Sequence, residues 1–316
     1  MTQPLDTLLE EITTGSQTPE PGRLYYLSNL EAEDVTRVKE AWSQIPVDLR
    51  RALTARLVEV AEADFEVNFG AVFRLGLDDE DAQVRTLAVE GLWEDNDVRL
   101  IPRLVSLLGD EAVPVRAAAA TSLGRFVLLG ELGKIRTEPF RKAYDALLAT
   151  CQSGEEHMEP HRRALESLSY VGNIEVVKLI QAAYDSPEEK MLVSAVFSMG
   201  RSADPRWAES VKHELFNPSP ELRYEAARAC GELQLSDAVL SLEELTDDAD
   251  PEVQEAALWA LGQIGGDKAR EILEHFCEAE SEATRAAAEA ALDELEFMHG
   301  DLNDFFARLA GEQDLT

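Results

Sequence analysis

The feature that most constrains this 316-residue chain is a repeat. Ala88, Ala119, Ala164, Ala195, Ala226, Ala257 and Ala288 follow one another at steps of 31, 45, 31, 31, 31 and 31 residues. The long step is one period plus a 14-residue insertion. A fixed period of this size marks one supersecondary unit copied along the chain. No copy can bury its apolar face alone, so the copies stack.

The neighbours of these alanines keep the same register. Three residues earlier come Arg85, Arg116, His161, Leu192, Arg223, Gln254 and Arg285. Three residues later come Gly91, Ser122, Ser167, Ser198, Ala229, Ala260 and Ala291, all small. One further on come Leu92, Leu123, Leu168, Met199, Cys230, Leu261 and Leu292, all apolar. Small at i and i+3 with apolar at i+4 is one face of an α-helix, here helix A of each unit. Small side chains let the next helix approach at the short end of the usual range of about 8–10 Å. Sixteen residues after the alanine, Leu104, Ile180, Val211, Leu242 and Leu273 mark a second helix, B. The glycines of Leu123-Gly124, Met199-Gly200, Cys230-Gly231 and Leu261-Gly262 read as helix stops. Ser186 and Asp250 read as N-caps, with Pro187 and Pro251 at the first helical position. Ser186 and Glu189 have the spacing of a capping box.

With that register in place, Val84-Arg85…Ala88…Gly91-Leu92, Leu222-Arg223-Tyr224-Glu225-Ala226-Ala227…Gly231 and Val253-Gln254…Ala257…Leu261-Gly262-Gln263-Ile264-Gly265 resemble HEAT repeats. They look most like the short bacterial subtype named after the phycobilisome lyases. The resemblance covers residues 78–298 and is specific for fold. It says little about function, because HEAT arrays serve many unrelated roles.

No segment alternates apolar and polar residues at strand spacing. The expectation is therefore an all-α chain, a right-handed α-solenoid of about seven HEAT-like helix pairs with an N-terminal helical cap. Residues 1–22 read as a mobile segment that contains an amphipathic stretch, Leu5, Leu8, Leu9 and Ile12. Residues 23–77 read as the cap, with helices over 30–42 and 48–63. Residues 78–298 form the array, with the insertion around 126–139. There helix A runs past its usual stop through Phe126-Val127-Leu128-Leu129, and Gly130 to Glu138 form a loop. Residues 299–316 are a C-terminal tail carrying Asp304-Phe305-Phe306.

Three widely spaced cysteines, Cys151, Cys230 and Cys277, read as reduced thiols. No basic, apolar leader stands at Met1-Thr2-Gln3-Pro4, and no stretch has the length of a membrane span. A cytoplasmic location without a membrane partner is expected. The 29 Lys and Arg against 62 Asp and Glu leave a net charge of −33. That surplus excludes nucleic acid, whose binding surfaces need Lys and Arg to displace counterions. Some of it has a local cause, since Asp78-Asp79-Glu80-Asp81 and Asp247-Asp248 precede starts of helix A, where carboxylates favour the positive end of the dipole. A solvated surface is the plain explanation of the remainder. A face for a basic protein partner is the sharper one.

No constellation points to catalysis, a metal or a cofactor. The deoxyhypusine hydroxylase type of HEAT array holds two irons with His-Glu pairs near the start of helix A. The equivalent pairs here are Thr86-Leu87, Ala117-Ala118, Arg162-Arg163, Val193-Ser194, Tyr224-Glu225, Glu255-Ala256 and Ala286-Ala287. Only Glu225 has ligand chemistry, and Tyr stands beside it in place of His. His213 and His275 occupy the same helix B position two units apart, about 20 Å at the usual helix spacing, too far to share an ion. His157, Glu159 and His161 read as a solvated loop running into helix A.

The remaining reading is a binding module. The helix B positions just after the aliphatic anchor leave the core and give Gln181, Lys212, His213, Glu243, Glu244, Glu274 and His275. They form a polar row on the concave side that turns acidic toward the C-terminus. Arg201, Arg206 and Trp207 add a basic-aromatic spot, with Trp207 read as core of helix B. Phe197 and Trp259 share a helix A position that is polar in Glu90, Glu166 and Arg228. They are either anchors for a partner or tighter packing between repeats. The expected function is a monomeric, non-catalytic protein–protein interaction scaffold or adaptor. The alternative, which rests on the lyase resemblance, is a lyase-like or chaperone-like protein acting on a cofactor-bearing partner.

Overall fold

The computed structural model describes residues 4–15, 18–154 and 156–299. The expected C-terminal tail, apart from His299, lies outside the described residues. Among the described residues the regular structure is helical and there is no strand. The chain divides into two compact units, Met1–Leu168 and Ser169–Thr316. The division falls inside the third repeat, between its two helices.

The first unit runs α1 (Pro4–Thr14), α2 (Pro21–Leu24), α3 (Ala32–Trp42), α4 (Val47–Ala63), α5 (Gly70–Gly76), α6 (Ala82–Glu90), α7 (Ile101–Leu107), α8 (Val113–Glu131), α9 (Thr137–Gln152) and α10 (Met158–Leu168). The A helices α4, α6, α8 and α10 pack in succession, and α5, α7 and α9 pack beside them. The second unit runs α11 (Ile174–Tyr184), α12 (Glu189–Arg201), α13 (Ala208–Glu214), α14 (Pro220–Glu232), α15 (Val239–Leu245), α16 (Pro251–Ile264), α17 (Asp267–Phe276) and α18 (Glu282–His299). Here α12, α14, α16 and α18 pack in succession, with α11, α13, α15 and α17 beside them. This is the all-α solenoid architecture of HEAT repeats.

All seven register alanines have 0% exposure, and so do the helix B anchors Leu104, Ile180, Val211, Leu242 and Leu273. The same register continues one period earlier in α4 and α5, where Leu57 and Phe73 are buried. Leu57 replaces the small residue that marks the other copies, which hides this repeat in the sequence. The stretch read as mobile places α1, whose Leu5, Leu8, Leu9 and Ile12 are all buried. Glu11 pairs there with Arg23, and Asp6 with Arg37.

Three local expectations are corrected. Gly124, Gly200, Gly231 and Gly262 do not stop helix A, because each lies inside a helix. They are small because the next A helix is close. A Cβ on Gly124 would stand 2.5 Å from the Ser167 hydroxyl, one on Gly200 2.9 Å from the Ala229 backbone, and one on Gly231 2.9 Å from that of Ala260. Two of the real stops fall at left-handed residues that are not glycine, Ala203 (φ 50°) and Gln234 (φ 52°), with Gly265 (φ 68°) in the equivalent place one repeat on. Ser186 is not an N-cap. Helix α12 begins after Glu188, and the Ser186 hydroxyl accepts from Glu188 N inside the turn, so no capping box forms. Asp250 is an N-cap, accepting from Glu252 N, with Pro251 at the first helical position. The insertion lengthens α8 and α9, so the loop between them is only residues 132–136.

Arginines three residues before the register alanine tie the turns together. Arg85 Nη1 donates to the carbonyls of Asp79 and Glu80, while Nε and Nη2 grip Asp110 at 2.8 and 2.7 Å. Arg223 repeats this four repeats further along, onto the Asn217 and Pro218 carbonyls and both oxygens of Asp248. These bidentate bonds hold the Asp248 carboxyl below its usual range. In the same way, hydrogen bonds from Arg51 draw Asp81 down to about 2. A folded-state pKa below the unfolded one adds stability that is present above about pH 4 and lost as the pH falls through the folded value. Protonation also relieves the self-repulsion of a −33 chain, so wild-type acid sensitivity alone is ambiguous. The comparison with Arg223→Gln removes the ambiguity. Its melting temperature is expected well below wild type at pH 7, with the gap shrinking toward pH 2. A gap that stays constant from pH 7 to pH 2 would show that the pair does not act through the Asp248 charge.

Candidate functional site

The residues of the expected row all lie on B helices of the second unit: Gln181 on α11, Lys212 and His213 on α13, Glu243 and Glu244 on α15, Glu274 and His275 on α17. Each follows a fully buried anchor. At about 100° per residue the next side chain swings to the edge of the core, and the one after it into solvent. Gln181, His213, Glu244, Glu274 and His275 are exposed, while Lys212 and Glu243 are half-buried.

The structure brings three of the seven together. Glu243, Glu274 and His275 line one groove of about 450 Å³ between α15 and α17, with Lys268, Ile272 and Phe276. The His275 ring meets the Phe276 ring edge-on at 5.3 Å. Lys268 Nζ lies 3.2 Å from Glu243 and 3.6 Å from Glu271, and the Glu243 contact raises its pKa. One lysine among Glu243, Glu271, Glu274 and Glu278 leaves the groove acidic. Lys212 is engaged elsewhere. Its ammonium lies 2.5 Å from Asp237 and 2.7 Å from Glu209, and the hydrogen bond to Asp237 raises its pKa. Gln181 donates to Asp185 at the C-terminal cap of its helix.

The aromatic positions are covered from within. Arg201 stands over Phe197 at 5.3 Å and Arg228 over Trp259 at 4.1 Å. The Trp259 ring also sits where a Cβ on Gly231 would touch it, 2.8 Å away. Trp259 thus packs against the neighbouring helix α14, while Phe197 is covered by Arg201 of its own helix α12, and both rings are half-buried. The basic-aromatic spot is not assembled. Arg201 lies 3.3 Å from Glu232, Arg206 bonds Asp204 at 2.7 Å, and Trp207 is buried.

Among the described residues, no group of three or more His, Cys, Asp or Glu is placed to hold a metal ion. The His157–His161 segment is used in starting α10. His157 Nδ1 accepts from Glu159 N, and burial holds the His161 pKa down. Glu156 takes the charge of Arg116 at 3.0 Å. Burial pushes the thiols of Cys151 and Cys230 up to about 12. No helix among the described residues is long and apolar enough to cross a membrane.

The profile of HEAT repeats matches residues 71–158 and 208–293, more than half of the chain. The chain belongs to the HEAT-repeat family. Among solved structures, this HEAT-repeat protein is similar to yeast importin-β (Kap95p), with a TM-score of 0.55 at 11% identity over 93% of this chain and 46% of that one. It is also similar to the complex of CpcE and CpcF of phycocyanin lyase from Nostoc sp. PCC7120. That match has a TM-score of 0.52 at 18% identity over 89% of this chain and 96% of the other. At these identities the likeness is one of fold. No curated protein matches the sequence.

Sequence reasoning passed over the surface around Phe65 and Trp93. Both are large aromatics left in solvent, 77% and 48% exposed, in the turns after α4 and α6. The available signal was a tryptophan set just after the last helical turn and followed by Glu94-Asp95-Asn96-Asp97, in a place where other repeats carry small or polar turn residues.

Proposed function

We propose that this HEAT-repeat protein is a non-catalytic scaffold, a monomer that holds a basic protein partner on the B helices of its second unit. The observation that carries the reading is the acidic groove between α15 and α17, where Glu243 and Glu274 stand with Ile272 and Phe276 beside them. Carboxylates carried on successive B helices suit a basic surface of a folded partner that spans the row. Extended rows of this kind are how stacked repeats offer binding surfaces. Charge acts here mainly on the association rate and on the choice of partner.

The test is capture from the native cell by the wild-type chain and by Glu243→Lys/Glu244→Lys/Glu274→Lys. The wild type is expected to retain a stoichiometric, colourless, basic protein, and the triple reversal to lose it. Thermal unfolding is expected to move by no more than about 1 kcal/mol, because Glu244 and Glu274 are exposed and the half-buried Glu243 loses only a solvated pair with Lys268. If the triple variant keeps its partner while Phe197→Ala and Trp259→Ala lose it, the working face is that of the A helices. A chromophore that copurifies in stoichiometric amount would instead favour a lyase-like or chaperone-like role.

A further inference from the structure

A second surface belongs to the first unit and shares no residue with the row of B helices. Two turns contribute to it, residues 64–69 between α4 and α5 and residues 91–97 between α6 and α7. They meet around a cleft of about 610 Å³. The cleft has an aromatic floor, Phe69 and Phe73, both almost fully buried. Its rim carries Phe65 and Trp93, which are not. On the other side of Trp93 a groove of about 400 Å³ runs between α6 and α8. Val89 and Ala118 lie along it, with Glu62 and Glu90 beside them. The indole of Trp93 is therefore a ridge between two depressions. A chain that buries Phe69 and Phe73 a few residues away has the means to bury a ring, and here it leaves two in solvent.

The turn is built to hold that ridge. Arg125 of α8 donates from Nη1 to the Leu92 carbonyl at 2.9 Å and to the Trp93 carbonyl, and from Nη2 to Asp95 O at 2.7 Å. Its charge is thereby used on backbone. Arg74 is engaged with Asp95 and lies 3.5 Å from Asp97. Among the described residues Glu62, Glu90 and Glu94 have no cationic partner. Burial raises the Glu90 pKa, and the neighbouring Glu62 charge adds to it. The two depressions thus hold five carboxylates, those of Glu62, Glu90, Glu94, Asp95 and Asp97, against the guanidinium groups of Arg74 and Arg125, with Arg99 pairing Asp97 at 2.7 Å from the side, so the surface stays acidic.

We propose that the double cleft around Trp93 is a docking site for an extended segment of a partner protein that places an Arg or Lys next to a large apolar residue. The cation lies over the indole face between Glu62 and Glu90, where ring and carboxylates attract it together. The apolar neighbour fills the cleft beside Phe65 over Phe69 and Phe73. Charge complementarity selects this occupant. Nucleic acid and anionic headgroups meet uncompensated carboxylates, and a second copy of a −33 chain is repelled. An aromatic ridge flanked by desolvated pockets is the usual form of a binding hot spot.

The experiment uses the full chain and a fluorescein-labelled peptide of about a dozen alternating Arg and Leu residues, read by anisotropy at a near-physiological salt of about 0.15 M. A companion peptide replaces every Leu by Ser and keeps the charge. The Arg/Leu peptide is expected to bind, and the Arg/Ser peptide to bind about tenfold more weakly. Trp93→Ala leaves the net charge untouched and is expected to cost about tenfold in affinity, with Trp93→Phe retaining most of it. Glu62→Gln/Glu90→Gln is expected to cost a similar factor, and Glu243→Gln/Glu244→Gln/Glu274→Gln to leave the affinity within about twofold. Equal binding of both peptides with no effect of Trp93→Ala would overturn the proposal, since diffuse attraction to an acidic chain would explain everything. So would a loss seen only in the Glu243/Glu244/Glu274 variant, which would assign basic segments to the B-helix row. A dimer in sedimentation that Trp93→Ala abolishes would make the surface an interface between copies and would overturn it too. If Trp93→Ala fails to fold, full binding by Glu62→Gln/Glu90→Gln still decides against it.

Discussion

Replacing Asp79 by alanine is expected to cost about 3–5 kcal/mol of stability, the range found when one member of a buried ion pair is removed. Asp79 lies in the turn between α5 and α6 with its side chain only 2% exposed, against Arg50, itself 6% exposed. Its Oδ2 accepts from Trp42 Nε1 at 2.7 Å, and Arg50 Nε stands 3.0 Å from the same oxygen. Its Oδ1 accepts from Arg50 Nη2 at 3.3 Å and from Asp81 N at 2.9 Å. One carboxylate thus joins α3, α4 and the start of α6. Without it Arg50 keeps the Ile45 carbonyl and Glu80, whose side chain is 83% exposed and screened by water. The remaining buried charge and the orphaned indole N–H both lose more than a hydrogen bond, because neither regains water. Urea unfolding measures the change. Glu80→Ala, which removes only the exposed partner, is expected to move it by under about 1 kcal/mol. Near-equal values for Asp79→Ala and Glu80→Ala would show that water reaches Arg50 in the folded chain.

The repeat was legible because it is a statement about volume. A position that can hold only alanine leaves a trace in every copy, and all seven alanines proved fully buried. The same reasoning misread the glycines. In sequence, a glycine near a helix end looks alike whether it supplies left-handed backbone or room for a neighbour. The structure assigns Gly124, Gly200, Gly231 and Gly262 to room, and the left-handed turns to Ala203 and Gln234, whose side chains gave no hint. The repeat in α4 and α5 escaped for the opposite reason, since Leu57 fills a seam that elsewhere admits only a methyl group.

The candidate site was less legible, because a surface follows from which side chains pair off. Register alone placed Glu243, Glu274 and His275 in one row, and they line one groove. Register was silent on Asp237, which occupies Lys212, and on Lys268, which answers Glu243. It was silent too on Arg125, whose hydrogen bonds to three turn carbonyls set Trp93 between its two depressions. Long cationic side chains reach partners 25 to 33 residues away in sequence, and no local pattern encodes their choice. That is also why Arg85, Arg116, Arg223 and Arg285, three residues before their alanines, were visible in register but not as clamps on neighbouring turns.

The seam between A helices gives a test whose sign separates the two readings of its glycines. In an unconstrained helix, Gly→Ala stabilises by about 1 kcal/mol through propensity. At Gly262 the added Cβ would lie 2.5 Å from the Ala291 carbonyl oxygen and 3.1 Å from the carbonyl carbon. These are backbone atoms of α18 and cannot swing aside as a side chain does. Helix α18 must move off α16, and overpacking of this kind costs about 1–3 kcal/mol. The overlap lies deep in that range because rigid atoms meet, so the propensity gain is outweighed and Gly262→Ala is expected to be destabilising. Ala226→Leu, at a seam position with 0% exposure, is expected to destabilise for the same reason and by more, as three further carbons need space. Gly22→Ala is the matched control. It lies in the short helix α2 with nothing within 4 Å of the added carbon, and is expected to be neutral or stabilising. Melting temperatures for the three variants decide the matter. A rise for Gly262→Ala comparable to that for Gly22→Ala would mean that the seam has room for a methyl group and that these glycines serve the backbone after all.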